Sequence, residues 1–136
     1  MEKDYTNWHK LKTALNNNEA SSRPYFHDRE IWYCSLGDNI GSEQDGKGEE
    51  YLRPVIVFKK FNNEIFWAIP LTKSKNKKKE KNQRFYYAFS FMPDITSIAI
   101  LSQIRLVDGK RLKVHMGVIS EENFNELKEK LKALFP

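Results

Sequence analysis

From residue 30 onward the chain alternates short apolar runs with polar, glycine-rich or asparagine-rich breaks, and the spacing of the apolar positions is that of strands. Residues 30–36 and 54–61 are rich in β-branched and aromatic side chains and bracket a break holding Gly37, Gly41, Gly46 and Gly48. Phe61-Asn62-Asn63-Glu64 predicts a tight hairpin turn, because Asn tolerates the positive φ that two-residue turns require. A third strand, 65–71, then returns antiparallel. A fourth, 85–89, stops at Pro93-Asp94. Residues 98–106 form one further apolar run, Asp108-Gly109 predicts a hairpin, and 112–119 a last strand. The period changes twice. Trp8, Leu11 and Leu15 predict an amphipathic helix over 4–16 capped by Asp4 or Thr6, and Phe124, Leu127, Leu131 and Leu134 predict a C-terminal helix capped by Ser120, with Glu121 and Glu122 in its first turn.

These elements define a mainly β fold. Five to seven short antiparallel strands make a small, strongly curved sheet or partly open barrel, with a C-terminal helix and an extra N-terminal one. A sheet of that size must bury one face. The 136 residues suit a single globular unit. Residues 1–28 read as a helical extension and lead-in, and 29–136 as the main domain. No apolar run approaches the ~20 residues of a membrane helix, and the N-terminus lacks signal-peptide order, so a soluble cytoplasmic protein is expected. Cys34, the single cysteine, reads as a buried thiol in a strand. No zinc spacing, phosphate loop or dinucleotide fingerprint is present, and neither metal nor cofactor is expected. His9 and His27 read as surface or packing residues, and His115, the alternative reading of which is a base, reads as packing on the last strand away from the polar motifs.

Charge sharpens the picture at one place. The net charge is +5, while residues 73–84 carry six lysines and one arginine against one glutamate, a local +6 that leaves about −1 for the rest. Alone, such a run is a solvated loop. Beside a site that takes a phosphate-bearing ligand it becomes a landing strip for phosphates.

The loop between the first two strands gathers polar groups able to act on a substrate, Ser42, Glu43, Gln44 and Arg53, which cluster inside it rather than on the strands. Gly-Ser-Glu-Gln at 41–44, Arg-Pro at 53–54, Pro-Leu-Thr at 70–72, Ser-Gln-Ile-Arg at 102–105 and Lys-Arg-Leu at 110–112 follow in an order that resembles the PemK/MazF family of toxins. The resemblance covers roughly four fifths of the chain. It implies an SH3-like barrel of the CcdB/MazF type and a toxin of a type II toxin-antitoxin system. The activity it implies is that of a homodimeric, metal-independent, sequence-specific endoribonuclease acting on single-stranded RNA. It also implies a cognate antitoxin partner that fills the RNA groove. The N-terminal helix, the longer loop 45–52 and the lysine run depart from the family pattern.

Cleavage of RNA without metal needs the 2'-hydroxyl as nucleophile, a group to take its proton and donors for the charge that builds on phosphorus. Arg53 is the donor, since its guanidinium forks onto phosphate oxygens and stays charged. Thr72, matching the family's second catalytic position, would hold a phosphate oxygen. Glu43 is the candidate base, the alternatives being a solvated charge or an antitoxin contact. Ser42, Gln44, Lys73, Lys75 and Lys77 are assigned to RNA binding. Gln103 and Arg105, placed on one strand face by the period of two, would bind base edges or form a strand pair. Asp108 would pair with Arg111. Two other readings compete: a CcdB-like toxin that binds a protein such as DNA gyrase without catalysis, and a nucleic-acid-binding module without turnover.

Overall fold

The computed structural model describes residue 7 and residues 23–37, 52–73 and 84–136. Within them the order is β1 (Glu30–Ser35), β2 (Leu52–Lys60), β3 (Ile65–Lys73), β4 (Tyr86–Met92), β5 (Ile95–Ile100), β6 (Arg105–Asp108), β7 (Leu112–Val118) and a C-terminal helix, α1 (Glu121–Lys132). Every strand pairing is antiparallel, in the order β4-β5-β3-β2-β1-β7 with β6 also beside β3. The mainly β architecture with its C-terminal helix follows the expectation. The N-terminal helix expected at 4–16 lies outside the described residues.

β3 is the hinge of the topology. Its first half, Ile65 to Ala68, pairs with β6, and its last residues, Leu71 to Lys73, pair with β5 on the same edge. The chain therefore steps along that edge through a 3-10 turn at Leu101–Gln103, and the run expected as one strand over 98–106 is two strands with a turn between. Asp108-Gly109 is likewise no hairpin. β6 pairs with β3 whereas β7 pairs with β1, so the 3-10 turn Gly109–Arg111 carries the chain from one side of the β3-β2-β1 sheet to the other. Five strands, β6-β3-β2-β1-β7, thus curl round a common interior with their two ends joined by that turn.

The curl buries both faces of the central strands, where the sequence pattern had required only one. Trp32, Cys34, Val55, Val57, Phe66, Ala68, Val107 and Leu112 point inward, and Phe26 from the lead-in plugs them. The alternate residues Ile31, Ile56, Ile69 and Leu71 point outward and are covered by Tyr87 and Phe89 of β4, Ala99 of β5, and Phe124, Leu127 and Leu131 of α1. Each fully buried Val, Leu, Ile or Phe among them contributes about 1.5–3 kcal/mol. The helix starts as predicted: the Ser120 hydroxyl accepts from Asn123 N, and Glu121 and Glu122 stand in the positive first turn. It is latched to β4 by the Tyr87 hydroxyl, which donates to Glu126 Oε2 at 2.6 Å, and by Lys130 Nζ, which donates to the Tyr86 carbonyl at 2.6 Å.

The β2–β3 turn closes differently from the expectation. Neither Asn62 nor Asn63 takes a positive φ, which among the described non-glycine residues occurs only at Arg29 and Asp94. Instead the Asn62 side-chain oxygen accepts from Glu64 N and Ile65 N, a local cap that spares the backbone the left-handed region.

Candidate nucleic-acid interface

The inward-facing parity that builds the interior also decides which polar groups reach its rim. Arg53, at the start of β2, lies across from Cys34 of β1 and shares the inner parity of Val55 and Val57. Val55 pairs with Pro70, and carrying that register two residues further sets Arg53 across from Thr72, which shares the parity of Ala68. The side chains agree: Arg53 Nη1 donates to the carbonyl oxygen of Leu71, the residue before Thr72, at 3.3 Å. Two motifs 19 positions apart in sequence, at 53 and 72, thus share one half-buried edge. Pro54, which cannot donate to a ladder, is tolerated here near the strand's beginning.

Arg105 opens β6 across from Ala68, so it too faces the inner side. Gln103 does not follow by alternation, because it belongs to the 3-10 turn, and the period-two argument for a shared face fails there. Lys73 is exposed at the end of β3 beside Ser97 of β5. Ser42, Glu43, Gln44, Lys75 and Lys77 lie outside the described residues.

Asp108 is engaged differently from the expected pairing with Arg111. Arg23 forks onto it, Nε to Oδ1 and Nη2 to Oδ2, both at 3.0 Å, and Lys110 N donates to Oδ1 at 2.8 Å. Burial alone would raise this carboxyl's pKa, but the Arg23 fork and the Lys110 amide hold it below the usual range. Arg111 instead turns to β1, where its Nη1 donates to the Ser35 carbonyl at 3.4 Å. Partial burial and then the positive charge of Arg105 lower the pKa of the Arg111 guanidinium. Beneath them the Cys34 thiol is fully buried and pushed up to about 12, against the pull of Arg111, Arg105 and Lys113. It is an inert core thiol, as its strand position predicted.

The described histidines gather at the Glu30 carboxylate. His115 stacks edge-on against Trp32 with ring centroids 5.3 Å apart, and its Nε2 is 3.6 Å from Glu30 Oε2; His27 Nδ1 approaches the same oxygen at 3.5 Å. Among the described residues no three His, Cys, Asp or Glu side chains converge to hold a metal ion, and no helix is long and apolar enough to cross a membrane. Among the described residues the rim offers the guanidinium groups of Arg53, Arg105 and Arg111 and the hydroxyl of Thr72. That set suits a phosphodiester. Arg111, part of the Lys-Arg-Leu motif, is expected from the sequence only as a partner for Asp108, and the topology is what carries it to this side of the sheet.

Solved structures with the same fold include MazF (Form-I) from Deinococcus radiodurans, 18% identical with a TM-score of 0.61, where the match covers 82% of this chain and 97% of that one. Another is an endoribonuclease in complex with its cognate antitoxin from Mycobacterial species, 13% identical with a TM-score of 0.59, covering 80% and 93%. A third is the Mycobacterium tuberculosis toxin MazF-mt6, 12% identical with a TM-score of 0.56, covering 77% and 94%. No curated protein matches the sequence. The family model for the PemK-like, MazF-like toxin of type II toxin-antitoxin systems matches residues 27–135, and the chain belongs to that family.

Proposed function

We propose that the protein is a metal-independent, sequence-specific endoribonuclease that cleaves single-stranded RNA by attack of the 2'-hydroxyl. The observation that supports this reading is the Arg53 bond to the Leu71 carbonyl, with the β2–β3 register, carried on from Val55 and Pro70, setting Arg53 across from Thr72. In the reaction the 2'-oxygen attacks phosphorus, its proton passes to a base, and the 5'-oxygen leaves with a proton, giving a 2',3'-cyclic phosphate and a free 5'-hydroxyl. Arg53 neutralises the charge that builds on the phosphoryl oxygens. Thr72 donates a hydrogen bond that holds one of those oxygens for in-line displacement. Glu43 is the candidate base, and Ser42, Gln44, Gln103, Arg105 and the lysines at 73, 75 and 77 bind the strand.

The partners follow from the same reading. One solved neighbour is an endoribonuclease with its cognate antitoxin, and another is a MazE-MazF complex from Deinococcus radiodurans, 16% identical with a TM-score of 0.55. We infer an antitoxin partner that occupies the basic rim, a homodimeric state and a cytoplasmic site of action.

The test is incubation of the purified protein with a long single-stranded RNA in EDTA, mapping the 5' ends of the fragments. Cuts at one short word are expected. Arg53→Ala should lower the single-turnover rate by about 10² to 10³ while the thermal midpoint stays put. Intact RNA from folded, antitoxin-free protein would move the reading to a toxin that binds a protein target.

A further inference from the structure

The helix and β4 cover the outer face of β3 at Ile69 and Leu71 but leave its beginning open. There an irregularity in the ladder between Val57 and Lys59 sets Lys59 of β2 across from Trp67 of β3, and Trp67 lies in turn across from Leu106 of β6. Residues paired in this way share a face. Phe61 joins the row from the start of the β2–β3 turn. Its ring meets Trp67 edge-on, with centroids 4.9 Å apart and planes at 89°, and Lys59 Nζ lies 5.9 Å from its centroid. The row stands open to solvent, with Trp67 at 40%, Phe61 at 44% and Leu106 at 55% of full exposure. Exposed large apolar side chains gathered in this way mark an interaction site. An unpaired nucleotide fits its chemistry, because it brings a π-face for the indole and an anion for Lys59. A second copy of this chain on the same face would set two Lys59 cations on one apolar contact, with no acid in the row to offset them. Glu64, the carboxylate of the adjoining turn, faces Arg23 instead, at 4.0 Å.

We propose that Trp67, Phe61 and Lys59 form a platform on which an unpaired base of single-stranded nucleic acid stacks, separate from the rim of Arg53 and Thr72. Trp67 provides the stacking face, Phe61 holds the indole in place, and Lys59 takes the phosphate of the stacked nucleotide. Trp67 and Thr72 stand at 67 and 72 on β3, about 17 Å apart along the strand and on opposite faces, so a bound strand meets them at different nucleotides. The proposal rests on the nuclease reading for its RNA, but the platform itself requires only an unpaired base with its phosphate.

A fluorescein-labelled deoxyribo-oligonucleotide, which has no 2'-hydroxyl and stays uncut, is the probe, titrated by anisotropy over a series of salt concentrations. The full chain is compared with Trp67→Ala, Trp67→Phe and Lys59→Gln. Trp67→Ala, at an exposed position and so expected to fold, should weaken binding roughly tenfold with an unchanged salt slope, as loss of one stacked base predicts. Trp67→Phe should keep most of the affinity while removing most of the quenching of tryptophan emission that the oligonucleotide produces. Lys59→Gln should lower the salt slope by about 0.7. An oligonucleotide carrying abasic positions should bind the parent and Trp67→Ala alike. Equal affinity of the parent and Trp67→Ala for the intact oligonucleotide would overturn the platform. So would a loss in Trp67→Ala that persists with the abasic probe, since the indole would then act through something other than a base. Binding of an acidic peptide but of no oligonucleotide, or self-association of the parent that Trp67→Ala abolishes, would overturn it too and give the face to a protein. RNA left intact by the parent protein, with oligonucleotide affinity still falling in Trp67→Ala, would sink the turnover reading and leave the platform standing.

Discussion

The two cores of this protein are built from alternate residues of the same three strands, yet they do different work. The outer core, Ile31, Ile56, Ile69 and Leu71 under α1, is a two-layer packing of sheet and helix in which the helix is held by side-chain latches and one cap. The inner core is closed by a crossing turn and a plug, Phe26, and Arg53 and Arg105 stand on its rim in the same parity as its apolar residues. Damage to the outer layer should therefore register as lost stability. Damage to the inner one should also displace the rim.

Leu127→Ala probes the outer layer at its most buried helical position. Leu-to-Ala changes at such sites cost about 2–5 kcal/mol, through lost burial plus the cavity left behind. Urea unfolding should show a loss of that size, while the folded fraction, assayed at low temperature, should bind the uncut oligonucleotide with unaltered affinity. A parallel fall in affinity would mean that the two cores are not separable in the way their topology suggests.

Gly109→Ala probes the inner layer and should have a smaller thermodynamic but a larger functional effect. A Cβ at Gly109 would lie 2.8 Å from Phe26 Cε1, too close to persist, and Phe26 is fully buried against Phe66 with ring centroids 4.9 Å apart. Overpacking of this kind costs about 1–3 kcal/mol. Because the same turn carries Arg111, oligonucleotide affinity should fall along with stability. Phe26→Leu should rescue part of both losses in the double variant, a non-additivity expected of touching residues. Strictly additive effects would show that Phe26 is not what Gly109 accommodates.

This contrast also explains what the sequence made legible. The first three strands, the last strand and the helix were readable because each carries its own local signal: alternation in 30–36, 54–61, 65–71 and 112–119, and a cap followed by an apolar stripe in α1. The break at Leu101–Gln103 carried none. Its cause is non-local, since β5 and β6 occupy successive stretches of one edge of β3, and an unbroken apolar run cannot reveal that. Asp108-Gly109 carried a misleading signal: the dipeptide suits a hairpin, yet the chain crosses between sheet edges there. Asp in that position serves instead as the cap for Lys110 N and the receiver of Arg23. At the site, Arg53 and Thr72 could be linked through motif order, whereas Arg111 is expected from the sequence only as a partner for Asp108, and its place on this side of the sheet depends on the same crossing. A guanidinium so placed is recognisable only once the register is known.

The smallest expected effect concerns the tie between the lead-in and the inner core. Arg23 stands three residues before the Phe26 plug and holds Asp108, so the pair fastens the plug to the turn that closes the interior. The Asp108 carboxyl has a depressed pKa in the folded state, and a group of that kind contributes stability that is present above its unfolded pKa of ~3.9 and is lost as pH falls through the folded value. The parent protein should therefore be more stable than Asp108→Asn in urea at neutral pH. The two curves should converge as pH falls below ~4. Asn keeps an acceptor for Lys110 N, so the comparison isolates the charge on Arg23 rather than the cap. The gap should be modest and should shrink in high salt, because both side chains keep access to water. A gap that persists unchanged at pH 3 would assign the contribution of Asp108 to packing or capping and remove the Arg23 ion pair from the ties that fasten the lead-in.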